Sequence, residues 1–360
     1  LIRAGDSDDG ARIVAAVEQA AAARKPLQVV GQGSKAERFA PPTAAARAER
    51  LSTLDHCGVL HYAPDELVLE ARAGTPLAEI EALLARHHQV LPFEPPRLRG
   101  AGTLGGAVAA GLSGPARPWR GSVRDAVLGV ELVNGLGERL RFGGRVVKNV
   151  AGYDVSRLQV GAFGAFGCLL SIAVRVLPAP TLTVTVHQSV ACDTALAQLA
   201  HLPARALPLT GTAFVDGRLS LRLAGAPRAV LAAAAELGGE RVEGDLLWPA
   251  LRDQQHDFFR LGDVRWRASL PPGTGALPGD AQALIEWGGA QRWYRAADAG
   301  SDRLQGTDLD ELQSAVRAAG GSLVPFAAAP WAQVSGARAV LQTRLRRAFD
   351  PHDLFGEGAS

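Results

Sequence analysis

Apolar positions along this chain alternate between two spacings, and the switches between them outline its elements. Ile13, Val14 and Val17 recur at helical spacing and predict a helix over Asp8–Ala23. LQVVG, Leu27–Gly31, reads as a strand that opens directly into a small turn, Gly31–Lys35. Two short apolar segments follow with a Pro64–Asp65 turn between them. Thr75-Pro76 then predicts a helix start, with a hydroxyl cap, proline at the first position and Ile80, Leu83 and Leu84 on the buried face. Val127–Val133 and Arg139–Phe142 predict a hairpin through Asn134-Gly135 and Gly137, and Leu169–Leu177 a further strand closed off by Pro178 and Pro180.

From Thr181 the pattern changes character. LTVTVHQSV alternates as a strand should, Thr194–Leu199 is helical, and Asp216-Gly217 turns a hairpin. Pro227–Leu237 predicts a helix stopped by Gly238-Gly239, and Asp245–Leu261 a helical segment carrying Trp248, Phe258 and Phe259. VRWRASL, ALIEWGG and QRWYRA read as strands, the last two a hairpin at Gly288-Gly289. Asp308–Ala319 and the basic stretch Val334–Phe349 read as helices. Helices interleaved with antiparallel strands predict an α+β fold, ferredoxin-like in this second half.

Composition narrows the function classes. At 360 residues with 47% hydrophobic and 21% charged side chains, the chain is long enough for two cored domains of ordinary globular character. A net charge of +2 gives no footprint of a nucleic-acid binder. Cys57, Cys168 and Cys192 have neither metal nor disulfide-framework spacing, which points to a reducing compartment and to no metal. No apolar run reaches membrane-spanning length, so the expected location is cytoplasmic, with any membrane attachment made through a partner. Methionine is absent, and because the motif spacings are intact the absence reads as substitution.

The chemistry concentrates in Gly100–Pro178. Six glycines fall between Gly102 and Gly121, and a second cluster, KNVAGYDVSRLQVGAFGAFG, closes the stretch. Small-residue turns of this kind let backbone N–H groups hold a phosphate without charged side chains. Gly100, Gly102 and Gly105 formally match G-x-G-x-x-G, with Asp125 twenty residues on. FEPPRLR precedes them where the dinucleotide fingerprint requires a hydrophobic strand, which rules out a Rossmann unit.

LPFEPP, GTLGGAVAAGLSGPARPWRGSVRDAVLG, LRFGGRVVKNVAGYDVSRLQVGAFGAFG and VLPAP together resemble the FAD-binding E-subunit family of bacterial glycolate oxidase (glycolate dehydrogenase). That family lies within the vanillyl-alcohol oxidase / p-cresol methylhydroxylase (PCMH) superfamily. The resemblance implies a two-subdomain PCMH-type FAD-binding domain over 1–180, an α+β cap over 181–330 and a C-terminal helix and tail, 331–360, packing back. It also implies cofactor contacts. Gly31, Gln32, Gly33, Ser34 and Lys35 match a first pyrophosphate loop; Gly102, Thr103, Leu104, Gly105 and Gly106 match a second, with Phe93, Glu94 and Pro95 just ahead of it. Gly121, Ser122, Arg124 and Asp125 match the segment beside the ADP half, and Leu128 and Gly129 the strand after it. Lys148, Gly152, Tyr153 and Asp154 match an element near the isoalloxazine ring, Lys148 and Tyr153 being the weak catalytic candidates.

The histidine-rich cap motif of the superfamily's flavoproteins that oxidise 2-hydroxy acids unaided is missing: His187, His201 and His256 form no cluster, so no general base for hydroxy-acid oxidation is evident. The C-terminal DPxxxFNPGR pattern survives only as Asp350–Phe355 followed by GEG. Gln32 stands where some relatives carry a covalent link, so the expected FAD is non-covalent. The implied function is the FAD-binding subunit of a heteromeric complex that oxidises glycolate to glyoxylate, alongside a catalytic flavoprotein subunit and an iron–sulfur subunit. Trp248, Phe258, Phe259 and Trp287 are either partner-facing or core. The alternatives are a self-sufficient FAD-dependent 2-hydroxy-acid dehydrogenase, with Tyr153 or Arg265 at the substrate, and a flavin-free scaffold.

Overall fold

The computed structural model describes residues 6–35, 48–146, 154–260, 264–297, 304–326 and 336–356. The chain divides into two compact units, the first Leu1–Ser113, Gly121–Ala179 and Ala328–Ser360, the second Gly114–Arg120 and Pro180–Ala327. Gly114–Arg120, expected within the first domain, belongs to the second unit: Trp119 packs on that unit's core and Arg117 lies 4.6 Å over the Trp287 ring.

In the first unit, α1 (Gly10–Ala23) buries Ile13, Val17 and Ala20, one stripe of a helix. It leads to β1 (Leu27–Val30), which pairs in parallel with β2 (Glu49–Ser52). Beside this pair stands a five-stranded antiparallel sheet, β3 (Val59–Ala63), β4 (Val68–Arg72), β8 (Cys168–Arg175), β6 (Val127–Val133) and β7 (Arg139–Gly143), in that order. β8 is buried on both faces: Leu169, Ile172 and Val174 join the core under α2 (Leu77–Arg86) and α3 (Leu104–Ala110), while Cys168 and Leu170 join the core under α1. A short pair, β5 (Gln89–Val90) and β9 (Leu177–Pro178), completes the unit's strands among the described residues.

The helix of the tail, Ala337–Phe349, packs Phe349 against Phe142 and Phe166 at centroid distances of 6.1 and 5.7 Å. Its expected first residues, Val334 and Ser335, lie outside the described residues. The fully buried Asp350 accepts hydrogen bonds from Leu354 N and Phe355 N, and Leu27 N donates to Leu354 O at 2.6 Å. The vestigial DPxxxF pattern therefore braces the strand that leads into the first turn.

Thr75 does not cap α2. Its Oγ1 instead donates to Arg72 O and accepts from Gly58 N, and Pro76 occupies the cap position. No strand precedes Gly100; a single tight turn, Leu98–Gly100, stands there, as the rejection of a Rossmann unit requires.

The second unit holds one eight-stranded antiparallel sheet. β10 (Leu182–Ser189), α4 (Cys192–His201), β11 (Leu209–Val215), β12 (Arg218–Gly225), α5 (Pro227–Leu237) and β13 (Glu240–Glu243) run β-α-β-β-α-β with spatial order β13-β10-β12-β11. That is the ferredoxin-like connectivity. β14 (Val264–Ser269), β15 (Leu284–Glu286), β16 (Gln291–Arg295) and β17 (Ser322–Pro325) repeat the same order as β17-β14-β16-β15, with the helix Leu309–Ala318 before β17. The halves join edge to edge where Ala213 and Phe214 pair with Glu286 and Ile285, which removes two exposed edges at once. The cap is thus two ferredoxin-like halves rather than one. The three helices cover one face. Trp248, Phe258 and Trp293 cover the other, so Trp248 and Phe258 are core, with Phe259 packed against them. Asp245–Leu261 breaks into two short helices, Leu247–Arg252 and Asp257–Arg260.

Candidate functional site

The carboxyl ends of the parallel pair β1 and β2 point their following turns at one place, the location where open α/β arrangements hold ligands. Thr53 N donates to Val30 O at 3.0 Å, which keeps the two exits side by side. The turn Gly31–Lys35 leaves β1 and meets the turn Gly102–Gly106 at the head of α3. A Cβ on Gly31 would lie 2.6 Å from Thr103 Oγ1, so only glycine permits the approach. Gln32 Oε1 accepts from Gly102 N, and a Cβ on Gly102 would reach within 3.7 Å of Lys35 Nζ.

The two turns do different work. Within Gly102–Gly106 four of the five amides already donate inside the chain: Gly102 N to Gln32 Oε1, Leu104 N to Thr75 O, Gly105 N to Ala73 O at 2.8 Å and Gly106 N to Thr103 Oγ1 at 3.1 Å, while Thr103, 1% exposed, is buried. This turn is a packed floor. The amides of Gln32, Gly33 and Ser34 donate to no described residue, and Gly33, at φ +71°, faces space with no atom within 4 Å of where a Cβ would stand.

A cleft opens here, lined by Gly31 and Val29 of the first strand and turn, Thr53, Ala73, and Gly105, Gly106 and Ala109 of α3. Its remaining wall is Gln159, Phe163, Gly164, Gly167 and Leu169. Gln159, 2% exposed, has no hydrogen-bond partner for its Nε2 among the described residues. An open donor set in the first turn, uncrowded space before Gly33 and an orphaned buried amide are what a flavin dinucleotide requires of its host, and these residues fit it. Gln159 and Phe163 were not among the residues matched to the cofactor in sequence; the doubled GAFGAFG was the visible signal at that wall.

The other expected contacts are placed as follows. Phe93 and Leu104 are fully buried in the core of the first unit. Glu94, at φ +45°, is half-buried and Pro95 buried in the turn-rich link to the second turn. Ser122 and Asp125 form a capping box on the short helix Val123–Ala126, with Ser122 N and Oγ both donating to Asp125 Oδ2 at 2.8 and 2.7 Å. Gly121 packs against Asp125, and Arg124 Nη2 donates to Val160 O at 2.9 Å. Leu128 and Gly129 lie within β6, where Gly129 faces the Gly144 backbone. Asp154 accepts from Arg157 N as a cap. Lys148, Gly152 and Tyr153, and the side chain of Arg265, lie outside the described residues.

Among the described residues no group of His, Cys, Asp and Glu could hold a metal ion, and no helix is long and apolar enough to cross a membrane. Burial lowers the pKa of His187 in the second unit; its Nδ1 lies 2.9 Å from Ser220 Oγ and its Nε2 2.9 Å from Asp245 Oδ2. It is an enclosed imidazole whose neutral form burial favours.

A family model for an FAD binding domain matches residues 7–143. Glycolate oxidase subunit GlcE of Escherichia coli (strain K12) is 40% identical over 344 residues, which span 95% of this chain and 94% of that protein. Glycolate oxidase subunit GlcD of Bacillus subtilis (strain 168) is 38% identical over 78 residues, 22% of this chain and 17% of that one. Among solved structures, an alkyldihydroxyacetonephosphate synthase superposes with a TM-score of 0.69 at 14% identity, covering 98% of this chain and 77% of its own, a likeness of fold alone. With identity running the length of both sequences and a cleft that suits the cofactor, the chain belongs to the GlcE family of FAD-binding oxidoreductase subunits.

Proposed function

We propose that the chain is the FAD-binding subunit of a heteromeric glycolate-oxidising complex and passes electrons within it rather than oxidising glycolate alone. The observation that carries the FAD part is the junction of the two turns, Gly31 against Thr103, beneath a first turn whose amides at Gln32, Gly33 and Ser34 donate to no described residue. The glycolate part rests on relatives named as subunits of glycolate oxidase. Gln32, Gly33 and Ser34 would hold the diphosphate through their amides, over the floor made by Gly102–Gly106. Gly121, Ser122, Arg124 and Asp125 would border the ADP half. Gly152 and Tyr153 would lie toward the flavin ring.

When bound, the flavin supplies a two-electron acceptor that returns electrons singly or in pairs. The chain's own contribution is to orient it and exclude water. The partners that complete the proposal are a catalytic flavoprotein subunit and an iron–sulfur subunit, with membrane attachment, where it occurs, made through them.

The full chain purified with FAD is expected to be yellow and, under anaerobic conditions, to keep its flavin oxidised with glycolate alone. Reduction is expected once the catalytic flavoprotein subunit is added. Reduction by glycolate or D-lactate without a partner would favour the self-sufficient dehydrogenase. A colourless chain that takes up no FAD would favour the scaffold.

A further inference from the structure

Gln159 follows the short helix Val155–Leu158 and lines the cleft, and its Nε2 is buried and unpartnered among the described residues. A buried donor left unpaired costs stability, so a chain that keeps one at a cleft is poised to receive an acceptor there. The surroundings say which kind. Val29, Ala73, Ala109 and Leu169 present apolar surface, Phe163 presents a ring, and none of the lining side chains is charged. A phosphate needs charge or clustered donors. A flat heteroaromatic ring needs apolar walls and one directed donor for a ring nitrogen or ring carbonyl, the pairing a carboxamide makes with a base edge.

We propose that Gln159 donates a hydrogen bond from Nε2 to a ring acceptor of the bound FAD, and so selects for a heteroaromatic edge in this cleft. The inference rests on the FAD reading above. Both rings of FAD, adenine and isoalloxazine, carry such acceptors, and the test separates them.

Ligand-free full chain is titrated calorimetrically with FAD, FMN and ADP, for the parent and for Gln159→Leu and Gln159→Met. Each variant removes the amide at similar volume. The FAD dissociation constant is expected to rise on the order of tenfold in both variants. If the contact is to adenine, ADP binding weakens with it and FMN binding is unchanged; if it is to isoalloxazine, the reverse holds. The ligand-free variants are expected to melt above the parent, because the orphaned donor is gone, whereas a merely structural glutamine would give a loss. Equal FAD affinity in the parent and both folded variants overturns the proposal while leaving the FAD reading standing. A folded parent that binds no FAD removes both.

Discussion

Gly31→Ala is a one-methyl change whose cost the geometry sets. Gly31 is outside the left-handed region, so its backbone accepts alanine, and the penalty is steric. The new Cβ would stand 2.6 Å from Thr103 Oγ1 and 3.2 Å from its Cγ2, closer than packed atoms tolerate. Forcing one methyl into a filled contact costs about 1–3 kcal/mol. Thr103→Ala removes both crowding atoms but also the Oγ1 that accepts from Gly106 N, a cap worth about 1 kcal/mol. In the double variant the nearest remaining Thr103 atom is Cβ at 3.5 Å, an ordinary contact. The double variant should therefore be about as stable as Thr103→Ala alone. The double-mutant cycle should then show a favourable coupling of about 1–3 kcal/mol. Urea unfolding of the ligand-free chain measures the cycle, and FAD titration of the same four proteins should follow the same order. Additive losses, with coupling near zero, would mean that the two turns do not touch and that the cleft is not built as described.

Three further outcomes follow from other parts of the molecule. Asp280 and Arg292, with side-chain exposures of 2% and 0%, form a buried ion pair to which the Tyr294 hydroxyl also donates. Asp280→Ala strands the guanidinium and should cost about 3–5 kcal/mol by urea unfolding, a loss under about 1 kcal/mol counting against it. Burial lowers the pKa of both His56 and His187 below the ordinary 6.5, so the unfolded chain takes up protons first on acidification. Stability should hold above about pH 6.5 and fall as the pH drops below it; a urea midpoint equal at pH 7.5 and 5.5 would contradict this. Burial pushes the Cys168 thiol up to about 12, so it should resist alkylation at pH 8 in the folded chain and react in urea; rapid native labelling would show that β8 is not enclosed.

Much of the local structure was legible because single residues enforce it. Asp216-Gly217 can hardly be other than a hairpin turn, and the helices at Pro227 and Asp308 announce their own starts. Strand order is not local, so the doubling of the ferredoxin-like unit was out of reach: it depends on Ala213 and Phe214 meeting residues some seventy positions away. Gly114–Arg120 was misplaced for the same reason, since only tertiary packing carries Arg117 to Trp287.

At the site, glycine density located both turns but could not say which amides the chain itself takes up. That depended on Thr75 and Ala73, whose carbonyls take the second turn's donors. Phe93, in the motif LPFEPP, sits in the core of the first unit, a placement that no local signal in the motif announced. Gln159 stayed invisible because one amide in a polar stretch becomes informative only when burial removes its water.

The most direct measurement is an experimental structure of the full chain saturated with FAD. The account predicts diphosphate oxygens within hydrogen-bond distance of Gly33 N and Ser34 N, with Gly105 N still donating to Ala73 O beneath them. A diphosphate held elsewhere, or the turns at Gly31 and Thr103 parted in the loaded protein, would contradict it.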